Sequence, residues 1–332
     1  MARNLVLAGD IGGTKTSLAL FSVHGDNLRA EASHTYASKP HSGLAPILKE
    51  FLAGKKHPID GACFGVAGPV VDGSVRTTNL PWIIDTEELR RTLKLDAVHL
   101  LNDLEAAAYG IFTLADDEFF PLNEGEARQS GTKALIAAGT GLGQAILYDD
   151  GQHFRPLASE GGHGDFAPRD ELEIELLRYL MGRFGHVSYE RVVSGPGLLN
   201  IYRFLKEARG FEEPAWLTER FAAEDDPSAV VSKAALAKEA KICVKALDLF
   251  IAVYGAEAGN LALRAKAVRG LYIGGGIAPK IIDKLKDGSF MRAFADKGRY
   301  GDLLAAIPVQ VILNERAALR GAAYHAAFLS GE

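Results

Sequence analysis

Cysteine is nearly missing: the 332 residues hold two, Cys63 and Cys243. They stand far apart, each among apolar neighbours. That excludes a disulfide scaffold and a cysteine-built zinc site, and it reads as two buried free thiols in a reducing cytoplasm. Long apolar runs are missing too, so no segment has the length of a membrane-spanning helix. The opening residues, MARNLVLAGD, run straight into strand-like sequence without the charged head, apolar stretch and cleavage site of a secretory signal. Positive charge is not in excess. Lys and Arg total 37 against 42 Asp and Glu, a net charge of −5, and no dense basic run occurs. A nucleic-acid partner is not expected. There is no proline-rich or low-complexity linker, and no His, Cys, Asp and Glu group at metal-ligand spacing.

What remains is an ordinary globular composition, 48% apolar and 24% charged, on a chain long enough for two domains. The segment LVLAGDIGGTKTSLALF, residues 5–21, reads as strand, glycine turn, strand. It lacks the spacing of a Walker loop or of a dinucleotide fingerprint. The sequence after Gly12 and Gly13 approaches a period of two, which predicts a β-hairpin. Both glycines can take positive φ and admit a ligand close to the backbone. Their N–H groups, with Thr14, suit an anion. Asp10 would repel a bare phosphate unless a magnesium ion lies between them. An ordinary glycine hairpin with a capping aspartate fits the same residues.

The theme recurs. KALIAAGTGLGQAILYDDG is again apolar strand, glycine turn, apolar strand. Two such hairpins more than a hundred residues apart point to a duplicated architecture. GACFGVAGPV and AVHLLND read as buried strands, with GLAPILKEFLAG and TEELRRTLKL as helices between them. The middle reads as helical: DELEIELLRYLMGRFG, GPGLLNIYRFLKEARG, and one long run from about Ser232 to Lys266. RGLYIGGG is a further strand ending in glycines, and the tail is strand then helix. Asp103 falls where a strand gives way to a helix. It suits either a helix cap or a reactive carboxylate at a strand end.

Three glycine segments therefore end apolar strands: GDIGGTKT, AAGTGLG and GGGIAPK. In this order they resemble the first phosphate, second phosphate and adenosine segments of the sugar kinase, heat-shock protein 70 and actin superfamily. LLNDLEAAAYG, SEGGHGDFAP and ERVVSGPGLLNIY are similar to segments of the bacterial glucokinase family of hexokinases, and the resemblance covers residues 4–329. It implies an α/β fold of two ribonuclease-H-like domains, the actin-like ATPase fold, facing each other across a cleft with ATP between them. The corresponding division is a small α/β domain, 1–113 plus 313–332, and a large one, 114–312, with helical insertions.

The resemblance also implies roles. Asp103 would be the base for the sugar hydroxyl that is phosphorylated. Asn102, Glu160, His163 and Glu190 would hydrogen-bond the other hydroxyls of glucose, with Asn79 as a further candidate for which a turn is an equal rival. Gly9, Asp10, Ile11, Gly12, Gly13 and Thr14, with Gly139, Thr140, Gly141 and Gly275, would hold ATP. Asp10 would hold Mg2+ through water. Lys15 either reaches the terminal phosphate or is simply exposed. A homodimer and a place in glycolysis come with the family. A hexose offers only hydroxyls, so its site needs several fixed donors and acceptors, and carboxylates make strong ones.

The rival readings are a kinase of another hexose, a non-enzymatic actin-like sugar sensor and a glycoside hydrolase. The last leaves three phosphate-type turns without a use. Two isolated cysteines cannot build the zinc cluster of the related family of repressors, open reading frames and kinases. No helix-turn-helix module is expected ahead of the fold.

Overall fold

The computed structural model describes residues 4–25, 27–55, 58–77 and 80–329. The chain divides into two units, one of residues 1–118, 150–158 and 314–332, the other of 119–149 and 159–313.

The first unit is built on a sheet in which Leu5–Ile11 lies between Lys15–His24 and Gly61–Val66. Asn27–Ala37 borders the former strand, and Val98–Asn102 the latter. The hairpin predicted at residues 5–21 is present, with Asp10 opposite Ser17. Gly61–Val66 and Val98–Asn102 run parallel to Leu5–Ile11, so Ile11, Val66 and Asn102 form one row at the carboxyl edge. Leu5–Ile11 and Gly61–Val66 are buried over most of their length, as expected for central strands covered on both faces. One face packs Leu7, Ile11 and Leu18 against Ile47, Leu48 and Phe51 of the helix Leu44–Leu52. The other packs Val6, Ala8 and Ala19 against Ala322, Ala323 and Ala326.

The helix Ala317–Tyr324 crosses the helix Asp103–Gly110 at Gly321 and Gly110. A Cβ on either glycine would overlap the partner helix's backbone. Small residues are what let these two helices touch.

The second unit repeats the pattern. Lys133–Ala138 pairs antiparallel with Leu142–Asp149 and parallel with Leu271–Gly274. Leu271–Gly274 pairs parallel with Val309–Ile312, which in turn pairs antiparallel with Phe119–Pro121. Hairpin on one side and parallel strands on the other is the arrangement of the first unit, so the duplication read from the sequence is present in the topology.

The helical run expected from Ser232 to Lys266 is instead two helices, Pro227–Leu236 and Lys241–Ala265. Lys238 takes φ 57° at the break, a conformation more often given to glycine or asparagine, so nothing in the local sequence announces it. Gly255 and Gly259 bring the longer helix against the backbone of Phe290 and Phe294. Cys63 and Cys243 are both buried and free. Burial pushes both thiols up, that of Cys243 to about 12. Among the described residues no helix is long and apolar enough to cross a membrane.

Candidate active site

In the first unit the candidate residues gather at the carboxyl edge of the parallel strands, where open α/β sheets place ligands. Asp10 is paired in register with Gly65, and Gly65 with Leu101. Asp103 follows directly on the last strand. A Cβ on Gly65 would lie 3.7 Å from the Asp103 Cα and only 2.7 Å from the Ala106 Cβ. Glycine at 65 is therefore what seats the start of this helix on the sheet, a role the sequence reading missed. The Asp10 carboxyl is pushed up to about 6, chiefly by burial and then by the charge of Asp103. The two carboxylates thus sense one another.

The helix cap is Asn102, not Asp103. Asn102 Oδ1 accepts the Leu104 N–H at 2.9 Å, and Glu105 reaches back to the Asn102 N–H at 3.0 Å. This is the reciprocal capping box. Asp103 occupies the first helical position, and its Oδ1 also accepts the Leu104 N–H, at 2.9 Å. The capping alternative for Asp103 is thereby transferred to its neighbour. Asn102 Nδ2 donates to the Gly68 carbonyl at 3.1 Å, so its amide has at most one N–H left for a ligand.

The first glycine turn differs from expectation. Neither Gly12 nor Gly13 is among the glycines with positive φ. The Gly12 N–H closes the hairpin onto the Lys15 carbonyl at 2.9 Å, so it is not an open anion donor. Lys15 is exposed. The turn is braced by Ser38, which is fully buried. Ser38 donates its hydroxyl to the Gly12 carbonyl at 2.8 Å and its N–H to the Thr14 carbonyl at 2.9 Å. A lone serine in the sequence carries no signal of this kind. Asn79 lies outside the described residues.

In the second unit the structure brings Glu160, His163 and Glu190 together. His163 Nε2 lies 3.8 Å from Glu160 Oε2, and His163 Nδ1 lies 4.0 Å from Glu190 Oε1. Glu160 and His163 are exposed. They are adjacent because Gly161–His163 forms a 3₁₀ turn, and because Gly162 packs where a Cβ would overlap the Leu142 carbonyl. Glu190 is part-buried, and its Oε2 accepts the Leu142 N–H at 3.0 Å. The carboxylate set therefore adjoins the second glycine turn. A Cβ on Gly141 would lie 2.5 Å from Glu190 Oε2, so the turn and the carboxylate are fitted to each other.

That turn is tight, with the Gly139 N–H donating to the Gly141 carbonyl at 2.9 Å. The Gly139 carbonyl accepts the Gly195 N–H at 2.8 Å. Gly275, with φ 83°, crosses Ala138 so closely that a side chain there would overlap its backbone. The second and third glycine segments are thus neighbours at one sheet edge.

Behind the carboxylates lies a buried network that the sequence reading did not find. Glu257 is fully buried. It accepts from Gln144 Nε2 at 2.8 Å, Asn260 Nδ2 at 2.9 Å and Arg264 at 3.0 Å. Asn260 Nδ2 also bonds the Tyr189 hydroxyl at 3.0 Å, and Gln144 Oε1 packs against Gly161. Glu257 thereby braces the chain beside both Glu160 and Glu190.

Among the described residues there is no group of three or more His, Cys, Asp or Glu that could hold a metal. The chemistry available is hydroxyl recognition by carboxylates, anion binding at glycine turns, and one part-buried pair of carboxylates at a strand edge.

The family model described as Glucokinase matches residues 7–328. A glucokinase of Nostoc sp. (strain PCC 7120) is 44% identical, over 98% of this chain and 99% of its own. A glucokinase of Synechocystis sp. is 42% identical, over 97% of each chain. Among solved structures, a glucokinase from an Antarctic psychrotroph superimposes with a TM-score of 0.85 at 31% identity, covering 97% of this chain and 98% of that one.

Proposed function

The chain belongs to the glucokinase family, and on that premise we propose that it transfers the γ-phosphoryl group of ATP to the 6-hydroxyl of glucose, giving glucose 6-phosphate and ADP. The observation that carries this reading is the bond from the Leu142 N–H to Glu190. A sugar hydroxyl held by Glu190 lies beside the glycine turn assigned to phosphates, as phosphoryl transfer requires.

Asp103 acts as the base that orients and deprotonates the attacking hydroxyl. Its bond to the Leu104 N–H fixes the carboxylate. Glu160, His163 and Glu190 hold other ring hydroxyls, and Asn102 offers its remaining N–H. The glycine turns at residues 12–14 and 139–141, with Gly275, hold the nucleotide. Phosphoryl transfer depends mostly on positioning and charge neutralisation, and fixed turns and carboxylates supply the positioning.

Asp10 fits a magnesium ion that arrives with the phosphates. Its carboxyl is destabilised in the ionised form by burial and by Asp103, and a dication reverses both effects. Magnesium uses one or two protein carboxylates plus water and phosphate oxygens, so a larger ligand cage is not needed. When bound, it would neutralise charge on the transferring group. The reading keeps the ribonuclease-H-like, actin-like assignment of each unit. It also places the enzyme in cytoplasmic glycolysis as a homodimer, which sedimentation in solution would test.

The experiment is a coupled assay of ADP release over a panel of sugars and phosphoryl donors. Glucose with Mg-ATP is expected to be the best pair. Faster turnover of another hexose, or ADP release that ignores sugar, would overturn the reading.

A further inference from the structure

The helix Gly195–Glu207 carries Leu199, Tyr202, Arg203 and Lys206 along one stripe, since residues three and four apart share a helix face. Two further residues complete the walls of a cavity of about 300 Å3 beside that stripe. They are Phe221, in the helix Ala215–Ala223, and Pro227, which opens the helix Pro227–Leu236. All belong to the second unit.

The charges around this cavity are answered within the protein, with one exception. Glu213 accepts from Lys206 Nζ and from the Thr218 hydroxyl, each at 2.8 Å, and from the Tyr202 hydroxyl. Burial pushes its carboxyl up, but these three bonds outweigh burial and hold it below the ordinary carboxylate value. It is therefore ionised at neutral pH and offsets Lys206. Glu207 accepts from the Tyr179 hydroxyl at 2.9 Å and pairs with Arg183. Arg203 is the exception. It is exposed, and among the described residues its guanidinium has no hydrogen bond or ion pair.

The other walls are apolar. Leu199 and Phe221 pack against the core while keeping part of their surface open. The Tyr202 ring is held by its bond to Glu213 and meets the Phe221 ring edge to face, with centroids 5.3 Å apart and planes at 69°. Two rings at that angle form a corner that a third ring enters in the offset or edge-to-face geometry aromatic groups prefer.

We propose that this cavity binds a small aryl carboxylate, with the carboxylate on Arg203 and the ring in the corner of Tyr202 and Phe221. Guanidinium and carboxylate match as a two-bond fork, so the ligand supplies the partner that Arg203 lacks. One unanswered cation calls for a monoanion. The volume is at the low end for ligand sites, which suits one ring with a short acid side chain rather than a nucleotide. None of the glycine turns lines the cavity, and the inference stands apart from the proposed function.

The test is calorimetric titration of phenylacetate into the enzyme saturated with glucose and a non-hydrolysable Mg-ATP analogue, at ionic strength held constant with chloride. One saturable site per chain is expected. Phenylacetamide, which lacks the charge, and acetate, which lacks the ring, should each bind far more weakly. Arg203→Gln should weaken phenylacetate binding by about tenfold or more, the loss expected for a charge-assisted bond. Arg203 is exposed, so this variant should keep the parent's Tm. Phe221→Leu, which stays apolar but removes the ring, should weaken binding severalfold. Absence of saturable binding, phenylacetate binding that Arg203→Gln retains at parental strength, or phenylacetamide that binds as tightly as phenylacetate, would overturn the proposal.

Discussion

Glu190 accepts the backbone N–H of Leu142 at 3.0 Å, which ties a carboxylate proposed to bind the sugar to the second glycine turn. Glu160 makes no such bond and stands exposed beside His163. The two carboxylates should therefore respond differently. Glu160→Gln is expected to raise the glucose KM while leaving the ATP KM within about twofold. Glu190→Gln should raise both, because an amide oxygen accepts the Leu142 N–H less strongly than a carboxylate. Steady-state kinetics with each substrate varied in turn checks the split.

Asp10 carries a second prediction. A carboxyl whose pKa is higher in the folded than in the unfolded chain favours folding when protonated. That contribution is complete below pH 3.8 and is lost as the pH rises through about 6. At neutral pH the ionised group opposes folding by up to about 3 kcal/mol, taking 1.36 kcal/mol per unit. Asp10→Asn should raise the Tm of the unliganded enzyme at pH 7.5 and yet lower kcat/KM for Mg-ATP. In the parent, kcat/KM for Mg-ATP should fall as the pH drops below about 6, and this fall should be absent in the variant. Calorimetry and pH-dependent kinetics read the two effects.

Much of this was legible in the chain itself. The apolar strands, the two glycine hairpins and their repetition follow from period and turn residues, and all are present. Asp103 at a strand–helix junction was legible for the same reason. The identity of the cap was not, because Asn102 and Asp103 are both good capping residues and only the capping box with Glu105 decides between them. Gly12 and Gly13 can take positive φ by residue type, but the hairpin closes without it. Ser38, Gly65 and Glu257 were invisible because each role needs a partner distant in the chain: Gly12 for Ser38, Ala106 for Gly65 and Gln144 for Glu257. The break after Leu236 was hidden because a lysine takes the left-handed conformation there.

Selectivity tests the carboxylate cluster as a unit. A sugar epimer misplaces one hydroxyl and leaves a carboxylate or imidazole unpaired. That loss costs about 1–3 kcal/mol, or roughly five- to more than a hundredfold at 1.4 kcal/mol per factor of ten. Galactose should have a kcat/KM below that of glucose by a factor in this range. Equal use of the two sugars would mean that Glu160, His163 and Glu190 do not read the ring.

Glu257 should act on the sugar through the residues it braces. Glu257→Gln weakens the bonds to Gln144, Asn260 and Arg264 together. The expected result is a lower Tm and a glucose KM raised severalfold, with the ATP KM nearly unchanged. A lower Tm with both KM values unaffected would make Glu257 a packing residue only.

The central claim is glucose-dependent phosphoryl transfer with Asp103 as the base. It is tested most directly by measuring ADP release by the parent and by Asp103→Asn, with and without glucose, alongside glucose binding to both. The parent should release ADP only when glucose is present. The variant should be slower by at least about a hundredfold, the low end for loss of a general base, with its glucose affinity within a few-fold of the parent's. ADP release that does not depend on glucose, or a variant that turns over within a few-fold of the parent, would contradict the account.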